Sequence, residues 1–281
     1  MRLSSGAPVA FFDSGVGGLA VVSEFLKVLP NENVVCFADI ANMPYGNKTS
    51  EDILKFSLEA IDFLEKFSPK LLILACGTVS SVLLSSSVQL ESLRFGVPVF
   101  DVISPACFDA VKTTKNKRVG IIGTEKTINA EIYLKKLKKI DPKIEIFCKS
   151  CPQLASLIEE SVNFNVDTIV EFNSKIKKAL SEYLSFFKNK GIDTFILGCT
   201  HYALVKEHIA GLLGRKVTLI DIGKSVSNKA VDFLIKNRLV NKGDKPPDFR
   251  AFVTKDAKDF SYKAKNILKS CNFSYFSIDS V

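Results

Sequence analysis

Two short apolar runs in this chain each end abruptly in a small residue and a cysteine. Leu71-Leu72-Ile73-Leu74 leads into Ala75-Cys76-Gly77-Thr78, and Thr194-Phe195-Ile196-Leu197 leads into Gly198-Cys199-Thr200-His201-Tyr202. An apolar run without polar alternation reads as a strand covered on both faces, as in a parallel sheet flanked by helices. Helical spacing follows each corner. In an open sheet of that kind, ligands bind at the carboxyl ends of the strands. A single such corner reads equally well as a buried structural cysteine beside a satisfied histidine. The repetition argues otherwise: it predicts two related halves, each with a thiol at an equivalent sheet edge.

The rest of the chain repeats the βα alternation. A strand over 9–12 ends in Asp13-Ser14-Gly15-Val16-Gly17-Gly18-Leu19, and Leu19, Val22, Phe25, Leu26 and Leu29 continue at helical spacing until Pro30. The glycines match neither the dinucleotide fingerprint nor a P-loop with its lysine, so a nucleotide site is not expected. A strand over 34–37 precedes Pro44-Tyr45-Gly46, a tight turn by composition, and Ser50 reads as the cap of the next helix. A helix over 79–95 and a strand over 97–100 follow. A second unit then begins near 101–105, with a strand over 118–122 ending in Gly123-Thr124-Glu125-Lys126-Thr127. Further helices are predicted over 127–140 and 166–189, with a strand over 144–147 and a turn into a short helix over 151–160. A strand over 217–220, a linker over 238–248 and a closing strand, helix and strand complete the pattern. The order implies α/β architecture with doubly wound, mostly parallel sheets.

Composition excludes several classes. The formal charge is +8, but the lysines cluster at Lys135, Lys136, Lys138 and Lys139 and at Lys175, Lys177 and Lys178, where helical spacing makes them solvated faces. No basic patch interleaved with aromatics is present, so no nucleic-acid partner is expected. No apolar run reaches the roughly 20 residues of a membrane span and the first residues lack a signal-like apolar region, so the expectation is a soluble, cytoplasmic protein without a membrane partner. The seven cysteines lack a disulfide framework and fit free thiols in a reducing compartment. Cys148-x-x-Cys151 has no second pair beside it, and no metal site is expected there.

If both corners line one cleft, a thiol stands on each side of whatever binds. One thiolate removes a proton from a carbon while the opposite thiol delivers one to the other face. That inverts a stereocentre without a metal or an organic cofactor. A thiolate near neutral pH needs a positive neighbour or a helix N-terminus, and both cysteines directly precede helical spacing. His201 stands in sequence beside Cys199, and Asp13 is the matching acid–base candidate for Cys76. Thr78, Thr124 and Thr127 offer hydroxyls to a carboxylate.

These motifs occur in the order in which they resemble those of the glutamate racemases, within the cofactor-independent aspartate/glutamate racemase superfamily. The matching pieces are 13–19, Pro44-Tyr45-Gly46, Cys76-x-Thr78, Gly123-Thr124-x-x-Thr127, Cys151-Pro152 with Glu159, and 197–202. The resemblance implies interconversion of L- and D-glutamate for peptidoglycan synthesis, without a cofactor. It also implies two α/β domains of related topology facing each other across a cleft, 1–102 plus 215–281 and 103–214. Cys76 would act on the D-enantiomer with Asp13, and Cys199 on the L-enantiomer with His201 and Glu159. Ser14, Pro44, Tyr45, Gly46, Gly77, Thr78, Thr124, Thr127 and Thr200 would bind the substrate. A homodimer is the candidate assembly, which the sequence leaves open.

The chain departs from the family pattern at Gly77, where the family has asparagine, and at Ser156 and Ala203, where proline is usual. Gly77 either forfeits an amide that binds substrate, so that asparagine there would tighten binding, or is required by positive φ or a close backbone approach. The alternative readings are racemisation of aspartate or another amino acid, and a catalytically weak amino-acid-binding homologue.

Overall fold

The structure is a computed structural model that describes residues 3–86, 96–162, 166–243 and 246–281, with backbone alone for 166–173. Strands Val9–Asp13 (β1), Val34–Ala38 (β2) and Leu71–Leu74 (β3) are buried at every position, as uninterrupted apolar runs require. They join Val99–Asp101 (β4), Asp248–Val253 (β9) and Tyr275–Ser280 (β10) in a parallel six-stranded sheet of order β10-β9-β2-β1-β3-β4. Val9 is in register with Val34 on one side and with Leu71 on the other. A second parallel sheet, order β6-β5-β7-β8, contains Arg118–Gly123 (β5), Glu145–Ser150 (β6), Thr194–Leu197 (β7) and Thr218–Asp221 (β8). The α/β class and the two parallel sheets agree with the expectation.

Alternate side chains of the strands enter different core layers. Val9, Phe11 and Ile73 of the first sheet meet Val119, Ile121 and Ile196 of the second in one shared cluster. Helices Gly17–Val28 (α1), Ile103–Thr113 (α4) and Ile222–Lys236 (α10) contribute Val22, Phe25, Ala106, Ala110, Val226 and Ala230 to it. The outer face of the first sheet carries Ala10, Phe12 and Leu74 against Ser50–Glu65 (α2) and Gly77–Ser85 (α3). The outer face of the second carries Ile122, Phe195 and Leu197 against Leu154–Ser161 (α7), Val166–Ser185 (α8) and Lys206–Leu213 (α9). Each large apolar side chain fully buried in these layers contributes roughly 1.5–3 kcal/mol. Both sheets thus rest on one central layer, and their carboxyl-terminal edges open on a common crevice. No described helix is long and apolar enough to cross a membrane.

Several boundaries differ from the expected ones, for local reasons. The chain returns to the first sheet later than 215: β8 hydrogen-bonds β7, with Leu197 opposite Asp221, and only β9 and β10 return. Thr49, not Ser50, caps α2; its hydroxyl accepts from Asp52 N–H at 3.1 Å and donates to the Asp52 carboxylate. The helix expected over 127–140 is two, Glu125–Asn129 (α5) and Ile132–Ile140 (α6), because Thr124 caps the first and Glu131 takes a left-handed φ of 55°. The helix expected over 79–95 runs to Ser85, and its remainder over 87–95 lies outside the described residues. The last helix, Ala257–Ile267 (α11), connects β9 to β10.

Candidate active site

The carboxyl end of β1 supplies the first wall. The Asp13 carboxylate accepts Gly15 N–H at 2.9 Å on one oxygen and the Thr200 hydroxyl at 3.2 Å on the other. Thr200 belongs to the second half, so one carboxylate ties the two corners together. The glycine-rich turn serves this contact. A Cβ on Gly17 would run into the Thr200 hydroxyl and the His201 ring, so glycine there admits the opposite corner rather than a phosphate. Ser14 Oγ stands 3.6 Å from Cys76 Sγ. Cys76 is the residue before α3, and the Val79 N–H at the start of that helix points to its sulfur. Burial pushes the Cys76 thiol up to about 12, with the Asp13 charge adding to the rise and the Val79 and Ser14 hydrogen bonds opposing it. Burial likewise lifts Asp13 to about 6, against the opposing charge of His201.

The second wall follows β7. Cys199 precedes a 3-10 turn, Thr200–Val205, which carries the His201 ring back over the cysteine with Nδ1 3.7 Å from Sγ. The other ring nitrogen, Nε2, lies 2.6 Å from Glu159 Oε2, and the same oxygen accepts Val16 N–H at 3.3 Å. Glu159 Oε1 accepts from Lys263 at 3.2 Å. Burial works against charge on His201 and Glu159, but for His201 the hydrogen bond to Cys199 and then that to Glu159 prevail, and for Glu159 the hydrogen bond and charge of His201 do. His201 is held well above its ordinary value, and Glu159 is held down at about 2, with Lys263 assisting. An imidazolium beside Cys199 is the positive neighbour a thiolate requires.

Both corners line one cavity of about 230 Å³, below the roughly 300–1,000 Å³ of drug-sized pockets. Asp13, Ser14, Cys76, Glu159, Cys199, Thr200 and His201 line it, together with Pro44, Tyr45, Gly46, Thr78 and Thr124. The Met43–Pro44 peptide is cis, and Tyr45 is anchored by its hydroxyl donating to Asp39 at 2.6 Å. Asp39 also receives the Thr254 hydroxyl at 2.9 Å, so the C-terminal segment supports this loop. Thr78 Oγ1 lies 3.0 Å from Thr124 Oγ1, which lies 2.9 Å from Thr127 Oγ1, a hydroxyl cluster bridging the two halves.

Two expected substrate contacts are not in the cavity wall. Gly77 packs behind it, where an added Cβ would stand 2.7 Å from the Gly198 carbonyl oxygen. That short distance favours the close backbone approach over a lost amide as the reason for the glycine. Thr127 is buried behind Thr124 and supports that residue's hydroxyl. Met43, Ala155, Ser156 and Glu160 line the cavity without having been assigned to it. Met43 and Glu160 each adjoin a residue of the matched motifs, the signal that would have found them. Lys263 carried a different signal: it lies three residues after Phe260 and one before Ala264, on the apolar stripe of α11.

The fold and the site together define a class: two parallel-sheet α/β halves closing on one small cavity, with a cysteine and neighbouring polar side chains on each wall. Residues 20–230 match the Asp/Glu/Hydantoin racemase family, and the chain belongs to it. Glutamate racemase 2 of Caldanaerobacter subterraneus subsp. tengcongensis is 34% identical over 93% of each chain, and the glutamate racemase of Chlorobaculum tepidum is 36% identical over 86% of this chain and 85% of that one. Among solved structures, a glutamate racemase isoform of Bacillus anthracis superposes with a TM-score of 0.87 at 30% identity, covering 99% of this chain and 98% of that one. The glutamate racemase of Francisella tularensis in complex with D-glutamate gives 0.83 at 32% identity, with 99% and 97% covered.

Proposed function

We propose that this protein interconverts L- and D-glutamate by proton transfer at the α-carbon between Cys76 and Cys199. The observation that carries this reading is the presence of both cysteines in one small cavity, each with separate partners. The relatives above, glutamate racemases over nearly the whole chain, support glutamate over aspartate as substrate.

For L-glutamate, Cys199 as thiolate takes the α-hydrogen as a proton, with the His201 imidazolium beside it and Glu159 holding that ring charged. The electron pair left on the α-carbon delocalises into the substrate carboxylate. In this reading the Thr78 and Thr124 hydroxyls, 3.0 Å apart and both lining the cavity, hold that carboxylate. Cys76, kept protonated by burial, then donates its proton to the opposite face, with Ser14 and Asp13 beside it. The result is D-glutamate, a protonated Cys199 and a Cys76 thiolate; the reverse sequence converts the D-enantiomer. D-glutamate so formed would supply peptidoglycan synthesis.

Circular dichroism of each glutamate enantiomer, with aspartate in parallel, tests the proposal. Wild-type protein is expected to racemise glutamate, and Cys76→Ala and Cys199→Ala each to abolish turnover. An alanine variant with wild-type turnover removes the two-thiol reading, and faster turnover of aspartate than of glutamate transfers the activity to that substrate.

A further inference from the structure

Lys263 lies on the buried face of α11. Phe260 and Ala264 on the same stripe enter the central core, and Lys263 itself is only 6% exposed, whereas the neighbouring Tyr262 is 48% exposed. Its ammonium reaches Glu159 Oε1 at 3.2 Å and Asp259 Oδ2 at 3.0 Å. The Asp259 side chain is 46% exposed, one turn earlier on the same helix. A Lys–Asp pair of that spacing forms readily at a surface, so Asp259 does not explain why the ammonium is buried. Taking an ammonium out of water costs several kcal/mol unless a buried partner compensates. Glu159 is that partner.

The geometry points to Lys263 as a positioning residue for the Cys199 half of the proposed reaction: by occupying Oε1 of Glu159 it orients the carboxylate so that Oε2 addresses His201 Nε2. This inference rests on the proposed function. Glu159 Oε2 already takes both His201 and the Val16 N–H. With donors on that oxygen alone, the carboxylate can pivot about its last bond and slide off the imidazole. A donor on the second oxygen, from a different element, fixes the plane. The three donors come from the turn before α1, the turn after β7, and α11, so the carboxylate of α7 is held from three sides.

Charge supports the same role. The interior around His201 contains the carboxylates of Asp13 and Glu159 together with the Cys199 sulfur, and the proposed substrate brings a further net negative charge. Lys263 is the second cation beside His201 in this cluster. Lys263 does not line the cavity and touches no reacting atom. Its link also crosses the molecule: α11 lies between β9 and β10 of the first sheet, and α7 packs on the second. The C-terminal segment thus completes the acid–base apparatus of the opposite half.

The test compares Lys263→Met, which keeps the stem and removes the charge, with Lys263→Arg, which keeps the charge. Steady-state rates are measured with L- and D-glutamate, protiated and α-deuterated, alongside melting curves. Because the two enantiomers are equally stable, kcat/KM must fall equally in both directions, by about tenfold to a hundredfold for a lost charged hydrogen bond. The isotope effects distinguish the faces. In Lys263→Met they are expected to shift between the enantiomers in the same sense as in His201→Asn and opposite to Ser14→Ala, because the Cys199 transfer becomes more rate-limiting. Lys263→Arg is expected to lose less. Wild-type kcat/KM in Lys263→Met, unmoved isotope effects, a shift in the Ser14→Ala sense, or a folded arginine variant as slow as the methionine variant each overturns the inference. A wild-type protein that racemises neither enantiomer overturns the proposed function itself, and this inference with it.

Discussion

Gly77→Asn installs the side chain that the family usually has at this position, and the structure predicts that it damages the protein. The added Cβ would stand 2.7 Å from the Gly198 carbonyl oxygen, about 0.7 Å inside the 3.4 Å at which ordinary contact begins. The obstacle is backbone at the corner that carries Cys199, so no rotamer change relieves it. Overpacking of this kind costs roughly 1–3 kcal/mol. At about 2–4 °C per kcal/mol for chains near this size, the melting temperature falls by roughly 2–12 °C. Relief by moving the Gly198 peptide displaces Cys199 from its place opposite Cys76. A misplacement of about 1 Å in a reacting group costs on the order of a hundredfold, so kcat/KM for glutamate should fall at least tenfold. The assay is steady-state kinetics with both enantiomers and a melting curve, on Gly77→Asn and on Gly77→Ala. Alanine carries the same Cβ without the amide and should show the same loss. A Gly77→Asn protein with a wild-type melt and a lowered KM would refute the reasoning, since it would mean that position 77 faces the substrate with room to spare.

Asp13→Asn is expected to change the pH dependence of stability as well as activity. Burial raises the Asp13 carboxyl from 3.8 to about 6, so the folded protein binds the extra proton between those values and wild-type stability falls as pH rises through them. The variant lacks that fall, so its melting temperature relative to wild type should climb between pH 4 and pH 6, and a flat difference would contradict the assignment. Lys70 and Glu32 form a fully buried ion pair at 2.5 Å, with Lys70 also donating to the Leu239 carbonyl at 2.9 Å. Lys70→Met leaves Glu32 without its charge partner and should cost roughly 3–5 kcal/mol, read as a lowered melting temperature, with recovery in Lys70→Met/Glu32→Leu; an unchanged melt in the single variant would contradict this.

Much of the architecture was legible because it rests on local pattern. The runs 9–12, 71–74 and 194–197 have no polar alternation, and each became a doubly covered parallel strand. The corners at Cys76 and Cys199 were legible for the same reason, since the residues that end those strands are consecutive in sequence. What was not legible depends on contacts between distant parts of the chain. Gly77 lies against a carbonyl of the other half, Gly17 against Thr200 and His201, and Lys263 against Glu159. The strand over 218–221 carries no mark of which sheet it joins, because its pattern suits either edge; its pairing with β7 decides it. Capping by Thr49 rather than Ser50 turns on which of two adjacent hydroxyls reaches Asp52 N–H, and adjacent candidates look alike in sequence.

The central claim is that protons are exchanged on opposite faces of the α-carbon by two different thiols. The most direct measurement is conversion of protiated L-glutamate in D2O, stopped at early times, with α-deuterium measured separately in the D-glutamate formed and the L-glutamate recovered. Two thiols on opposite faces predict D-glutamate carrying one solvent deuterium from the outset while recovered L-glutamate remains protiated. D-glutamate that retains the substrate's own hydrogen, or deuterium appearing equally in both enantiomers from the start, would contradict the account.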